Sequence, residues 1–310
     1  MEQSKRTMWV LSFFLTVAIF VVFFIVMPIE SIGAIIRGAD VRFVAAAGAL
    51  SIVSNLIIAA EQWRVLLRGL GCVISFPESL LLKAGIAPLK GILPLKSGEL
   101  MRLIYLKKYY GFSFSRGAVS VLVAVLQGVT ALLILMTLGY SIFFPQIVLN
   151  AAQKAALGTG ILVLVSAVVV RRKDIMRAGR AIFLRRYGPE QQKDPGTFPP
   201  LHHLLPSFGY AFIIEALEIF IFYLSFRAIS LSVPLADMLR FVPLVILAAN
   251  MPVTMFGLGI RETAIVLYLS HLFPPGALLS GGLLFSFVIS IVPALGGFLF
   301  VRRLVARVAQ

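Results

Sequence analysis

The chain has 310 residues, of which 60% are hydrophobic and 13% charged, and its mean hydropathy is +0.99. A water-soluble protein of that length would expose far more apolar surface than water tolerates, so the bilayer is the solvent for most of the chain. The 28 Lys and Arg against 13 Asp and Glu read as membrane topology and contact with anionic lipid headgroups, not as a nucleic-acid surface, and the single cysteine, Cys72, excludes an internal disulfide framework.

In chain order, residues 8–29 form a charge-free run preceded by Lys5 and Arg6. At about 1.5 Å per residue this run is long enough for a hydrocarbon core of about 30 Å. No small-residue cleavage site follows it, so it is expected as a first span and not as a removed signal. Further spans are expected at 43–60, 118–144, 155–170, 208–226 and 277–301. Two other segments are apolar but broken: 76–110 by Gly85, Pro88, Gly91, Pro94 and Gly98, and 239–273 by Pro243, Pro252, Gly257 and Gly259. Each is expected as a hairpin that enters and leaves on one side, with two short spans as an alternative for 239–273.

With the N-terminus in the cytoplasm, 22 Lys and Arg fall in cytoplasmic or cytoplasm-rooted stretches and six outside. This bias points to a multi-pass protein of the cytoplasmic (inner) membrane with both termini in the cytoplasm. The basic loop 171–207 is read as a stop-transfer flank that touches the lipid surface.

The order span, span, hairpin, span occurs twice with opposite starting sides. The expected fold is therefore an all-α polytopic integral membrane protein, a single membrane domain of six spanning helices and two re-entrant hairpins arranged as an inverted-topology repeat, 8–144 and 151–301. The two breaks resemble one another: each places proline, then glycine, then Glu and Arg near a kink, Glu99 and Arg102 in the first, Arg261 and Glu262 in the second. Proline ends the incoming helix, glycine permits a reversal, and the outgoing helix begins with free backbone N–H groups that favour an anion. Charge at membrane depth costs about 2.5–3.5 kcal/mol per residue on insertion scales, so these groups are expected to line a polar cavity. A kink held by an internally satisfied Arg–Glu pair is the competing reading.

The stretch Leu93-Pro94-x-Lys96-x-Gly98-Glu99-x-x-Arg102, the linker Tyr110-Gly111-Phe112-Ser113, the turn Gly257-Leu258-Gly259-Ile260-Arg261-Glu262 and Glu61-Gln62-Trp63-Arg64-x-Leu66-Leu67 together resemble the lysylphosphatidylglycerol synthase transmembrane region, also described as flippase-like domain proteins. The resemblance covers nearly the whole chain. It implies a lipid translocator, because members are associated with moving aminoacylated phospholipid, polyprenyl-linked sugars or related lipids, one branch with hopanoid pathways. The bifunctional synthases add a soluble aminoacyl-transferase domain after the membrane part. This chain ends ten residues past Phe300, so only translocation is expected of it.

On that reading Arg102 and Arg261 hold a headgroup phosphate with the helix ends near Gly98, Gly257 and Gly259, Lys96 joins Lys83 and Lys90 as a basic entry, and Glu99 and Glu262 pair with the arginines or take up protons. Glu215 and Glu218 share one face of the span 208–226. Two carboxylates so close in a low dielectric cannot both ionise cheaply, which suits proton coupling; pairing with Arg or Lys of the first hairpin is an equal alternative. Gln127 is expected as a packing hydrogen bond, and His202, His203 and His271 lack the partners of a metal site. No nucleophile elbow, phosphate-binding Gly-Lys-Ser/Thr loop or dinucleotide glycine pattern occurs, so neither an enzyme nor a cofactor is expected. The expected partners are membrane lipids and separately encoded lipid-biosynthetic enzymes. A non-transporting subunit that scaffolds such an enzyme is the alternative function.

Overall fold

The computed structural model describes residues 34–89, 98–143, 198–250 and 254–309. Among them every regular element is helical, and four helices are long and apolar enough to cross a membrane: Val41–Gly69 (α1), Phe114–Phe143 (α4), Leu201–Ala228 (α5) and Pro275–Val301 (α8). These contain the spans expected at 43–60, 118–144, 208–226 and 277–301 almost entire. The spans expected at 8–29 and 155–170 and the loop 171–207 lie outside the described residues.

Local chemistry sets the ends. Asp40 caps α1 by accepting from the Arg42 N–H at 2.9 Å. Its other end closes on Leu70 and Gly71, which takes φ +86°, the left-handed position that glycine occupies after a helix. Two long helices carry a π turn, Val53–Ile58 in α1 and Phe287–Ile291 in α8. α8 then runs on as Val292–Ala309.

The broken segment 76–110 contains two short helices, Phe76–Ile86 (α2) and Gly98–Tyr110 (α3), which pack on one another. The second broken segment begins four residues before its expected start: α6 is Leu235–Asn250 and α7 is Ile260–Leu269, again packed together. Pro243, expected as a break, sits inside α6. The helix survives there because α6 is packed along α4, with Leu239 against Gly139, so neighbouring atoms cover the carbonyl that proline leaves unbonded. The true break lies between Asn250 and Ile260. At about 1.5 Å per residue all four short helices fall below the roughly 30 Å of a hydrocarbon core.

The two helix pairs are rooted at opposite ends of the bundle. Tyr105 and Tyr110 of α3 donate to Glu78 in the first turn of α2, beside the end where Gly69 meets His203. Asp237 in the first turn of α6 pairs with His271, just past α7, at 3.7 Å, near the end where the Asp40 N–H donates to the Ala228 carbonyl. Both roots use one carboxylate to hold the start of the incoming helix to the end of the outgoing one.

The core divides accordingly. Trp63, Leu66, Leu106 and Leu304 are packed around the first helix pair. Phe222, Phe226, Phe285 and Ile265 form the larger cluster around the second, with Phe222 and Phe226 rings stacked at 4.3 Å. α8 touches both pairs: Gly282 lies against Glu262 and Ile265, while Gly297 meets the Ala84 carbonyl so closely that no larger residue fits. Fifteen residues, about 22 Å of helix, separate Gly282 from Gly297, so one helix, α8, packs against both pairs of short helices.

Candidate functional site

Arg102 lies one turn inside α3 and is 2% exposed. Its guanidinium carbon stands 4.3 Å from the Trp63 ring centroid, and one terminal nitrogen pairs with Glu99, three residues earlier. Trp63 is fixed by donating from Nε1 to Ser120 Oγ at 3.0 Å; Ser120 in turn donates to the Gly117 carbonyl. Nε and Nη1 of Arg102 are buried with no hydrogen-bond acceptor among the described residues. A guanidinium seated over indole, paired with one carboxylate and with two donor nitrogens unused among the described residues, has the chemistry to bind an anion.

The second centre is assembled differently. Phe256 has φ +55°, Gly257 φ +72° and Gly259 φ +87°, so the break makes a left-handed reversal that only its glycines adopt without cost. A side chain at Gly257 would also stand 2.6 Å from the Ala249 carbonyl. Glu262, fully buried, accepts from the Gly259 N–H at 2.5 Å and from Ser286 Oγ. Arg261 donates through Nη1 to Ser286 Oγ at 2.8 Å and Ser290 Oγ at 3.3 Å, and through Nη2 to the Phe256 carbonyl at 3.4 Å. It also lies 5.6 Å from the Phe285 ring. Arg261 thus closes its own turn onto α8, with Ser286 shared between it and Glu262.

Two further carboxylates, Glu215 and Glu218, lie on α5. Glu218 is within electrostatic reach of Arg261 and of Glu215. Glu215 presses Oε1 against α4, where a Cβ at Gly128 would stand 2.8 Å away, and its Oε2 is buried with no hydrogen-bond partner among the described residues. Gln127 accepts from Ser207 Oγ at 2.7 Å and Gln62 Nε2 at 3.3 Å and donates to the Leu204 carbonyl at 3.1 Å, a packing network.

The structure therefore brings Arg261 and Glu262 together with the turn at Gly257 and Gly259, leaves Glu215 against α4 at Gly128, and pairs Arg102 with Glu99 near the start of α3 at Gly98. Among the described residues the two arginines share no hydrogen-bond, ion-pair or ring partner. Lys90 and Lys96 lie outside the described residues, and Lys83 is half-buried in the last turn of α2. Sequence reasoning missed Ser286 and Ser290, which hold Arg261, and missed Trp63 as the platform for Arg102. A helical spacing of four between the two serines was the one available signal.

Comparison with curated proteins finds no match to the chain. The sequence model of one family, described as the lysylphosphatidylglycerol synthase TM region, matches residues 9–297. With its apolar helices and a family match that runs over nearly its whole length, the chain belongs to that membrane-protein family.

Proposed function

We propose that the protein is a lipid translocator, without enzymatic activity of its own, that moves an anionic or phosphate-bearing lipid of the phospholipid, polyprenyl-linked or hopanoid type between leaflets of the cytoplasmic membrane. The observation that carries this reading is Arg102: a guanidinium buried on Trp63 that keeps two donors free of any acceptor among the described residues. Leaving such donors buried costs about 1–3 kcal/mol each, more for a charged group, and a phosphate or carboxylate headgroup repays that cost. Family membership supports a lipid-related role.

In this reading the chain is an inverted repeat of six spans and two re-entrant hairpins, both termini cytoplasmic. The headgroup first meets Arg102 with Gly98 and Lys96, Glu99 holding the arginine when no lipid is bound. It then passes to Arg261, which exchanges its serine hydroxyls for phosphate at the turn of Gly257 and Gly259, with Glu262 as the resident counter-charge. Acyl or prenyl tails stay in the bilayer throughout. Lys83 and Lys90 draw anionic headgroups towards the first hairpin.

The test is leaflet sidedness of fluorescent phosphatidylglycerol in reconstituted vesicles. Arg102→Ala is expected to abolish movement and Arg261→Ala to slow it severely; wild-type rates from the double variant would remove the site.

A further inference from the structure

A second arginine rests on an aromatic side chain of α1, at the opposite end of that helix from Arg102 and Trp63. The guanidinium carbon of Arg227, in the last turn of α5, lies 6.0 Å from the centroid of the Phe43 ring, at the outer limit of a cation–π contact. Its Nε, like Nε of Arg102, is buried with no hydrogen-bond partner among the described residues. Arg227 makes no side-chain hydrogen bond or ion pair with any described residue. Twenty residues of α1 separate Phe43 from Trp63. At 1.5 Å per residue that is about 30 Å, the thickness of a hydrocarbon core, so one arginine-on-aromatic pair stands near each boundary.

The usual roles of an arginine at a helix end do not account for Arg227. Such a residue commonly binds the last carbonyls of its helix. Here those carbonyls are taken: Phe226 accepts from the N–H groups of Ile229 and Leu231, Arg227 from that of Ser230, and Ala228 from that of Asp40 at 2.7 Å. An arginine that only snorkels carries its charged head out into water. Arg227 is instead half-buried, with Nε held inside. Asp40, the carboxylate at this corner, accepts from the Arg42 N–H at 2.9 Å and stands 3.6 Å from the Arg42 side chain. The same corner is the start of α1, whose first-turn N–H groups carry partial positive charge, and the Arg42 side chain is exposed there.

We propose that Arg227, seated on Phe43, is a second lipid-phosphate site, serving the leaflet opposite the one served by Arg102. This rests on the headgroup reading above, in whose topology α1 runs inward from Asp40 and the Arg227 corner is extracytoplasmic. The ligand is the phosphodiester of an anionic lipid. Its oxygens accept from the Arg227 fork, while Arg42 and the first turn of α1 add attraction. A headgroup leaving Arg261 thus meets a cation at the rim before it joins the leaflet, and a lipid of that leaflet loads by the reverse path. Its tails stay in the bilayer.

The experiment uses the full chain in phosphatidylcholine nanodiscs with a trace of phosphatidylglycerol that bears a photoreactive group near its headgroup; labelled residues are located by peptide mass spectrometry. Labelling is expected in two places, around Trp63 and Arg102 and around Phe43 and Arg227. Arg227→Gln is expected to cut the second about tenfold and to spare the first, and Phe43→Leu to weaken it about 2- to 5-fold. A phosphatidylcholine probe with the same photoreactive group should label the Arg227 corner weakly, because its choline cancels the charge. Equal labelling by the two probes, or labelling that survives Arg227→Gln, overturns the proposal. If Arg227→Gln fails to fold, Phe43→Leu decides by the same criterion. Displacement of the probe by inorganic phosphate would show that phosphate from either source is recognised; resistance to it, with the preference for phosphatidylglycerol retained, restricts the site to lipid. Labelling at Arg102 with none at Arg227 overturns the proposal and leaves the headgroup reading standing. Labelling at Arg227 with none at Arg102 sinks that reading and keeps Arg227 as an anion site of its own.

Discussion

The Arg102 guanidinium carbon lies over Trp63, 4.3 Å from the ring centroid, while the indole N–H of Trp63 donates to Ser120 on the neighbouring α4. Three helices thus meet at one guanidinium, two of whose nitrogens are buried with no acceptor among the described residues.

Trp63→Leu keeps the bulk of an apolar side chain and removes the aromatic face. Loss of about 0.5–2 kcal/mol of cation–π attraction is expected to weaken binding of short-chain phosphatidylglycerol about 2- to 30-fold. Arg102→Lys, which keeps the charge but not the planar fork, should fall nearly as far as Arg102→Ala. Titration of each variant in nanodiscs checks the order; a lysine variant that binds like wild type would show that charge alone matters.

Glu262 is buried beside Arg261 and satisfies both the start of α7 and Ser286. Glu262→Ala leaves the arginine charge without its partner and is expected to cost about 3–5 kcal/mol of stability. The double change Arg261→Leu with Glu262→Leu should cost clearly less, since no charge is stranded. Unfolding in mixed micelles gives both values, and equal losses would contradict the pairing.

Gly257→Ala meets both a left-handed backbone angle and the Ala249 carbonyl. The expected penalty is about 1–3 kcal/mol for the strained backbone, with the steric clash added to it. Gly276→Ala, where open space surrounds the added methyl, is expected to be nearly silent in the same thermal-shift measurement.

Glu78 accepts from both Tyr105 and Tyr110 at the root of the first helix pair. Glu78→Ala removes two charge-assisted hydrogen bonds, about 1.5–3 kcal/mol apiece at most, and frees the end of α3. Hydrogen exchange should rise over Gly98–Tyr110 and stay unchanged over Ile260–Leu269.

Cys72, in the linker between α1 and α2, is pushed up to about 11 by burial and, secondarily, by the Glu78 charge. The folded state therefore keeps the proton longer than the unfolded chain does. Stability from this group is complete below the unfolded thiol pKa, near 9, and is lost as pH rises through about 11. Alkylation by iodoacetamide is expected to be negligible at pH 8 in the folded protein and rapid after denaturation; fast reaction of the folded chain would contradict the burial.

Much of this architecture was legible from residue type alone. Long apolar runs marked α1, α4, α5 and α8, and the glycines and prolines of 76–110 and 239–273 marked the two interrupted segments, because hydrocarbon tolerates only backbones that satisfy their own hydrogen bonds. Pro243 misled, since sequence cannot show that α4 would shelter the bond it breaks. The arginines and glutamates were identifiable as sites of high cost, but their partners were not.

The sequence by itself determined where helices must run and which residues could not face lipid, because burial of apolar length and exclusion of charge are properties of each segment alone. Only the tertiary structure decided that Arg261 is satisfied by Ser286 and Ser290 while Arg102 is stacked on Trp63 with donors to spare. That difference arises from contacts between segments distant in the chain, and no local pattern records which hydroxyl, ring or backbone a guanidinium will meet once the helices pack.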